Sequence, residues 1–370
     1  MMPQEGICLK GGYSVKTRFA IVGYGWRAQF YLRAARMIPQ EFEVTSIVTR
    51  SGERAAQIRK ETGIPAVRSL EEALGDQPDF VLLCVPRAVM KDWIVRLMEQ
   101  KIPVLCETPP GKDVKELNEL WKEKVRLGGN VQVTEQYFLQ PYYAAMIRLA
   151  RSGLLGDISN MNMSAIHGYH AVSIFRKVLG VGFENCEILG RRFRFPVTET
   201  RDRAGWHYGG RMLCPDRDRV DLVFESGRTA FFDFSQEQYF SPIRSRTWNV
   251  QGSRGEIRDM DVYWLNEKNQ VIREHMRRED DGVYNIDGWS HLWITLSGER
   301  IYENPFPQAR LNDDELAVAD VLRHMGRSVR EGVDFYPLSE GLQDAYLDFC
   351  MEEALRTGNA VRTEAQSWAP

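Results

Sequence analysis

Short apolar runs alternate with helix-forming stretches through the first 140 residues. The runs Phe19–Val22, Phe42–Thr49, Ala66–Val67, Asp79–Pro86, Pro103–Cys106 and Asn130–Thr134 read as strands. The stretch following Ala28 and the segments Glu53–Thr62, Ser69–Gly75, Met90–Lys101 and Val114–Leu127 read as helices. Asp79–Pro86, DFVLLCVP, shows no polar alternation, as a parallel strand covered on both faces requires. Strands separated by helices of this length imply right-handed crossovers. The pattern therefore predicts a doubly wound α/β sheet that binds its ligand at the carboxyl ends of the strands.

From Pro141 the pattern changes. A helix over Tyr142–Ser152 and a glycine-rich turn over Gly153–Gly156 lead into strands at Ile158–Ala165, Arg219–Phe224, Thr229–Phe234, Ser245–Gly252 and Gly255–Met260. Glu225-Ser226-Gly227 reads as a hairpin turn, so the sheet is expected to be open and largely antiparallel. Asp313–Arg330 and Ser339–Thr357 carry apolar residues at three-to-four spacing and read as helices, the first capped by Asn312 or Asp313. A chain of 370 residues exceeds what one core usually serves. The expected division is a disordered lead-in over 1–16, a dinucleotide-binding domain over 17–140 and a substrate-binding α/β domain over 141–370.

Composition narrows the function classes. Forty-eight basic residues scattered among 51 acidic ones give a net charge of −3, with no basic face for nucleic acid. No apolar run reaches membrane-spanning length, and the first residues lack the apolar centre of a signal peptide. Six cysteines without C-x-x-C spacing suit reduced thiols, and a cytoplasmic location is expected. No His, Asp, Glu or Cys cluster has metal-ligand spacing, so no metal is expected.

The chemistry begins at Gly23-Tyr24-Gly25-Trp26-Arg27-Ala28, between the first strand and a helix. Gly23 permits a tight turn, Gly25 lets the backbone approach a pyrophosphate, and small Ala28 lets helix and strand pack closely. The helix start, with Trp26 and Arg27, would present free N–H groups to the phosphates. At the end of the second strand stand Thr49-Arg50-Ser51, with no acid to bind a ribose 2′-hydroxyl. Arg50 with two hydroxyls suits a 2′-phosphate, which favours NADP over NAD. Arg50 stacked on adenine, with either cofactor accepted, is the competing reading. Pro86, Glu107 and Thr108, at later strand ends, fall on the same cofactor side.

Three stretches together resemble the Gfo/Idh/MocA family of nicotinamide-dependent oxidoreductases. They are the GYGWRA turn, Cys106-Glu107-Thr108-Pro109 at the place of that family's Glu-Lys-Pro, and Gly168-Tyr169-His170-Ala171-Val172-Ser173-Ile174-Phe175-Arg176 running to Gly180. The resemblance implies a Rossmann domain followed by an α/β domain whose open sheet often serves oligomerisation. It also implies oxidoreduction of sugars, polyols or related compounds, with a catalytic histidine at His170. A homo-oligomer through the C-terminal sheet and a carbohydrate-like substrate are expected on this basis.

The departures are specific. Thr108 replaces the family lysine, and the acid four positions before the histidine is Ile166. Imidazole titrates near neutral pH and can take a hydroxyl proton, which keeps His170 as the catalytic candidate. His167, three residues earlier, would share a helical face with it and could extend a proton relay. Tyr137 could donate to a substrate oxygen and Glu135 could act as a base. Pro109 is a candidate for a cis bond. Hydroxyl-binding candidates in the second domain are Asp233–Tyr239 and Arg244, and the loop with Trp206-His207-Tyr208 could cover a pocket. Three functions remain open at this point: an NAD(P)-dependent polyol oxidoreductase, a redox-neutral glycoside-processing enzyme that retains its cofactor, and a non-catalytic dinucleotide sensor or partner protein.

Overall fold

The computed structural model describes residues 15–281 and 290–370, so most of the expected lead-in lies outside the described residues. The first half follows the strand–helix alternation closely. Its strands are β1 (Thr17–Val22), β2 (Phe42–Val48), β3 (Ala66–Val67), β4 (Phe80–Leu83), β5 (Val104–Cys106) and β6 (Val131–Val133). Its helices are α1 (Ala28–Met37), α2 (Gly52–Thr62), α3 (Leu70–Leu74), α4 (Arg87–Glu99) and α5 (Val114–Leu127). The strands form one parallel sheet in the order β3-β2-β1-β4-β5-β6. The reversal between β1 and β4 is where an open α/β sheet leaves a crevice at its carboxyl edge.

Strand alternation gives this sheet two cores. Phe19, Ile21, Phe80 and Leu82 point to one face, and Ala20, Val22, Val81 and Leu83 to the other. Continuous burial on both sides is why these runs contain no polar spacing.

The second half begins with α6 (Pro141–Arg151), β7 (Ile158–Ser164), α7 (Gly168–Leu179) and β8 (Cys186–Arg194). Two small ribbons follow, β9 (Val197–Thr198) with β12 (Met212–Leu213), and β10 (Arg201–Asp202) with β11 (Gly205–Trp206). Next come β13 (Asp216–Phe224), β14 (Thr229–Ser235), β15 (Thr247–Gly252), β16 (Gly255–Arg258), β17 (Asp261–Leu265) and β18 (Val271–His275). These, with the short β22 (Val361–Arg362), build a nine-stranded sheet in the order β18-β17-β16-β15-β7-β14-β13-β8-β22. Its pairings are antiparallel except β14 with β7. A further ribbon of β19 (Arg277–Asp281), β20 (Ser290–Leu296) and β21 (Glu299–Glu303) precedes α8 (Asp313–Glu331) and α9 (Leu338–Thr357).

Helices α7 and α9 cover one face of this sheet, joined by a buried pair in which Arg176 donates to Asp344 at 2.6 Å. The other face carries exposed Leu189, Phe193 and Val223. Helix α8 starts at Asn312, whose side chain and Glu315 form a reciprocal capping box. It crosses back over the first domain, placing Leu316, Val321 and Leu322 against Tyr31, Leu32 and Phe19. Among the described residues, no helix is long and apolar enough to cross a membrane.

Candidate active site

A cleft of about 2320 Å³ runs from the glycine turn to the second sheet. One small-molecule site usually occupies roughly 300–1,000 Å³, so this cleft has room for a dinucleotide and a substrate together. At its first-domain end, Gly23 has φ +98°, and a Cβ there would meet the Cys84 carbonyl oxygen at 2.3 Å. A Cβ on Gly25 would meet nothing within 4 Å and would project into open space. No side chain caps α1, and its first turn holds no acid. An anion can therefore reach uncompensated N–H groups there, so the donor set fits a pyrophosphate. Ala28 is fully buried, as close helix–strand packing requires.

The remaining cofactor-side candidates differ in how free they are. Arg50 is exposed, with no hydrogen bond or ion pair among the described residues. The Ser51 hydroxyl already accepts from Arg54 N–H at 3.1 Å as the α2 cap, and the Thr49 amide bonds the Val67 carbonyl. Arg54, not singled out in the sequence, lies 5.1 Å from the Tyr24 ring centre. Pro86 and Thr108 line the cleft, and Thr108-Pro109 is cis. Glu107 is engaged within the protein, accepting from Arg27 Nε at 2.9 Å and the Tyr31 hydroxyl at 2.5 Å. Arg27 also reaches Asp314 at the start of α8, at 3.4 Å, while Gln136 and Gln140 donate to the same carboxylate. Trp26 stands over the turn, edge-on to Phe30 at 4.8 Å, with the Arg203 guanidinium 3.9 Å from its ring centre.

Deeper in the cleft, His170, His167 and Tyr137 come together. The Tyr137 ring lies 4.2 Å from the His170 ring, and His167 meets His170 edge-on at 4.7 Å. His167 precedes the first turn of α7, and its Nδ1 bonds the Tyr239 hydroxyl. No hydrogen bond joins the two histidines among the described residues, so they touch without forming the direct relay that their spacing suggested. Tyr169 turns away, its hydroxyl on the Gly341 carbonyl.

The fully buried Glu135 is the residue whose place in the site the spacing could not give. Its Oε2 lies 2.5 Å from His170 Nδ1, and its Oε1 accepts the Tyr137 amide at 3.0 Å. Ile166, at the position of the family acid, is in the core. Burial pushes the Glu135 carboxyl up to about 8 and the His170 imidazole down to about 3, nearby Arg27 adding to the latter. His170 thus does not titrate near neutrality as a free imidazole would. Glu135 sits behind the histidine and is not part of the cleft wall.

Other candidates are engaged elsewhere. Asp233 is held bidentately by Arg217 at 2.7 Å, and Arg244 bonds the Ile243 carbonyl outside the cleft. Gln238 ties Ser164 to Ser245, while Ser235, Gln236 and Tyr239 line the cleft. The loop of Trp206, His207 and Tyr208 brings Glu199, Asp202 and His207 ligand atoms within 4.8 Å of one another. Arg211 already holds Glu199, and the Ala204 and Gly205 amides hold Asp202.

Residues 17–135 match the family described as "Oxidoreductase family, NAD-binding Rossmann fold". Over this first domain the chain matches the Gfo/Idh/MocA family. Its first domain is accordingly an NAD(P)-binding Rossmann domain. Scyllo-inositol 2-dehydrogenase (NADP(+)) IolU of Bacillus subtilis is 35% identical over 105 residues, 28% of this chain and 32% of that protein. The chain thus spans a third to less than half the length of the curated relatives it matches. Solved members of like fold include an NAD binding oxidoreductase from Klebsiella pneumoniae, with TM-score 0.68 at 14% identity over 95% of this chain and 100% of that one. An oxidoreductase from Agrobacterium radiobacter, in complex with NAD+, L-tartaric acid and magnesium, gives 0.66 at 15% identity over 94% and 98%. At such identity the likeness speaks for the fold alone, and it runs through both domains.

Proposed function

We propose that this protein is an NAD(P)-dependent polyol dehydrogenase in which His170 carries the hydroxyl proton and Glu135 governs its charge. The observation that carries this reading is the buried 2.5 Å contact between Glu135 Oε2 and His170 Nδ1, on a ring that lines the dinucleotide cleft. The inositol dehydrogenases among its relatives support a polyol as substrate. Bound at the glycine turn, the nicotinamide would supply the two-electron acceptor or donor for a carbinol carbon.

The protonation logic follows from the pair. Below about 8 the pair shares one proton. If Glu135 holds it and donates to Nδ1, the neutral ring carries its hydrogen on Nε2; if the ring holds it, both nitrogens are protonated. Either way Nε2 is a donor, suited to reduction of a ketone. Above about 8 the ionised Glu135 accepts from Nδ1–H, and Nε2 becomes the base that alcohol oxidation needs. Tyr137, tilted against the ring, and Tyr239, bonded to His167, provide hydroxyls to orient the substrate oxygen.

Exposed Arg50, with Arg54 nearby, supports NADP as the preferred cofactor. The open apolar face bearing Leu189, Phe193 and Val223 supports a homo-oligomer through the second sheet. The test is a panel of inositols and sugars followed by nicotinamide absorbance with either cofactor. Oxidation should rise with pH through about 8, and His170→Ala should lower kcat by roughly 10²- to 10⁴-fold with cofactor affinity retained. Cofactor binding without turnover of any polyhydroxy compound would instead favour the sensor reading.

A further inference from the structure

Resting on the dehydrogenase reading, we propose that the substrate is an acidic polyol, a sugar acid whose carboxylate is held by Arg246. The argument begins with charge. Most arginines lining the cleft are neutralised by carboxylates: Arg27 by Glu107 and Asp314, Arg192 by Asp218 and Glu352, Arg278 by Asp280 and Asp313. Arg246 has no carboxylate partner among the described residues. It donates only to backbone carbonyls, Nε to Gln238 at 3.3 Å and Nη2 to Tyr239 at 2.8 Å. Those bonds fix the plane of the guanidinium and leave Nη1 without an acceptor.

The location is at the reaction centre. The Arg246 guanidinium lies 5.4 Å from the ring centre of Tyr239, whose hydroxyl bonds His167, which in turn packs on His170. Arg246 immediately precedes β15, and Trp248 follows two residues later, so strand alternation puts both on the same face, and both line the cleft. A guanidinium pinned by backbone carbonyls, with Nη1 still open, forms a natural fork for carboxylate oxygens. A neutral inositol would leave that fork unmatched. Arg203, which also lacks a carboxylate partner, stacks on Trp26 at the glycine turn, towards the cofactor end.

The test compares matched substrates, D-glucuronate and D-galacturonate against glucose, galactose and myo-inositol, with wild-type protein and saturating cofactor. The wild type should favour the acids in kcat/KM. Arg246→Gln should lower kcat/KM for the acids by roughly 10- to 100-fold, mainly through KM, and remove the preference. Arg246→Lys, which keeps charge without the fork, should recover part of it. A wild type that oxidises neutral polyols as well as or better than acids overturns the inference and leaves the dehydrogenase reading standing. Equal losses on both classes in Arg246→Gln overturn it too. Turnover of neither class removes both. Because the wild-type preference is read without any variant, misfolding of Arg246→Gln cannot shield the proposal.

Discussion

Arg50 and Glu135 mark two kinds of residue in this protein, one whose role depends on what it lacks and one whose role depends on what surrounds it. Arg50 stands at the tip of β2 without a protein partner, so its guanidinium is available to a 2′-phosphate. Arg50→Ala should therefore weaken NADP binding by roughly tenfold or more and NAD binding much less, since a charge-assisted contact is lost only with NADP. Isothermal titration with both cofactors checks this; equal losses would assign Arg50 to adenine stacking. Such a residue is legible in sequence, because its place follows from where the strand ends. Glu135 is different. Thirty-five positions separate it from His170, and no spacing rule links a residue just after β6 to the third residue of α7. His170 could be picked out from its motif; its carboxylate partner required the fold.

At the level of elements, the first sheet was legible because burial on both faces leaves an uninterrupted apolar run, a strong signal. The second sheet was read only in part. β8, Cys186–Arg194, ends in GRRFR, and these charges mask its strand character; Arg192 pairs across the sheet with Asp218 at 2.5 Å and reaches Glu352 of α9. The glycine turn gives the element-scale test. Gly25→Val adds its side chain into open space, so the protein should keep its melting temperature while losing cofactor affinity. Gly23→Val must displace the Cys84 carbonyl from a left-handed turn and should lower the melting temperature itself. Calorimetry separates the two effects; retained affinity in Gly25→Val would remove the pyrophosphate assignment.

Across the whole molecule, the site exists because the two halves meet. Asp314 at the head of α8 receives Arg27 from the first domain and Gln136 and Gln140 from the connection between the two. Helix α8 itself packs on the first sheet, although the chain reaches it only after the second. The buried contact between Glu135 and His170 repeats that logic, with Glu135 from the first domain and His170 from the second. Thr108 and Ile166 stand where the resemblance expects a lysine and an acid, and on the proposed reading Glu135, from another element, takes the place of the histidine's partner. As a positioning residue, Glu135 should act through the protonation of His170. The most direct measurement is the pH dependence of kcat/KM for polyol oxidation in the wild type and in Glu135→Gln. The wild type should show a limb through about 8, whereas the variant, with a desolvated histidine titrating alone, should show that limb displaced to lower pH together with a reduced maximum. Superimposable profiles for the two proteins would contradict the assignment of Glu135 and His170 as the pair that moves the proton.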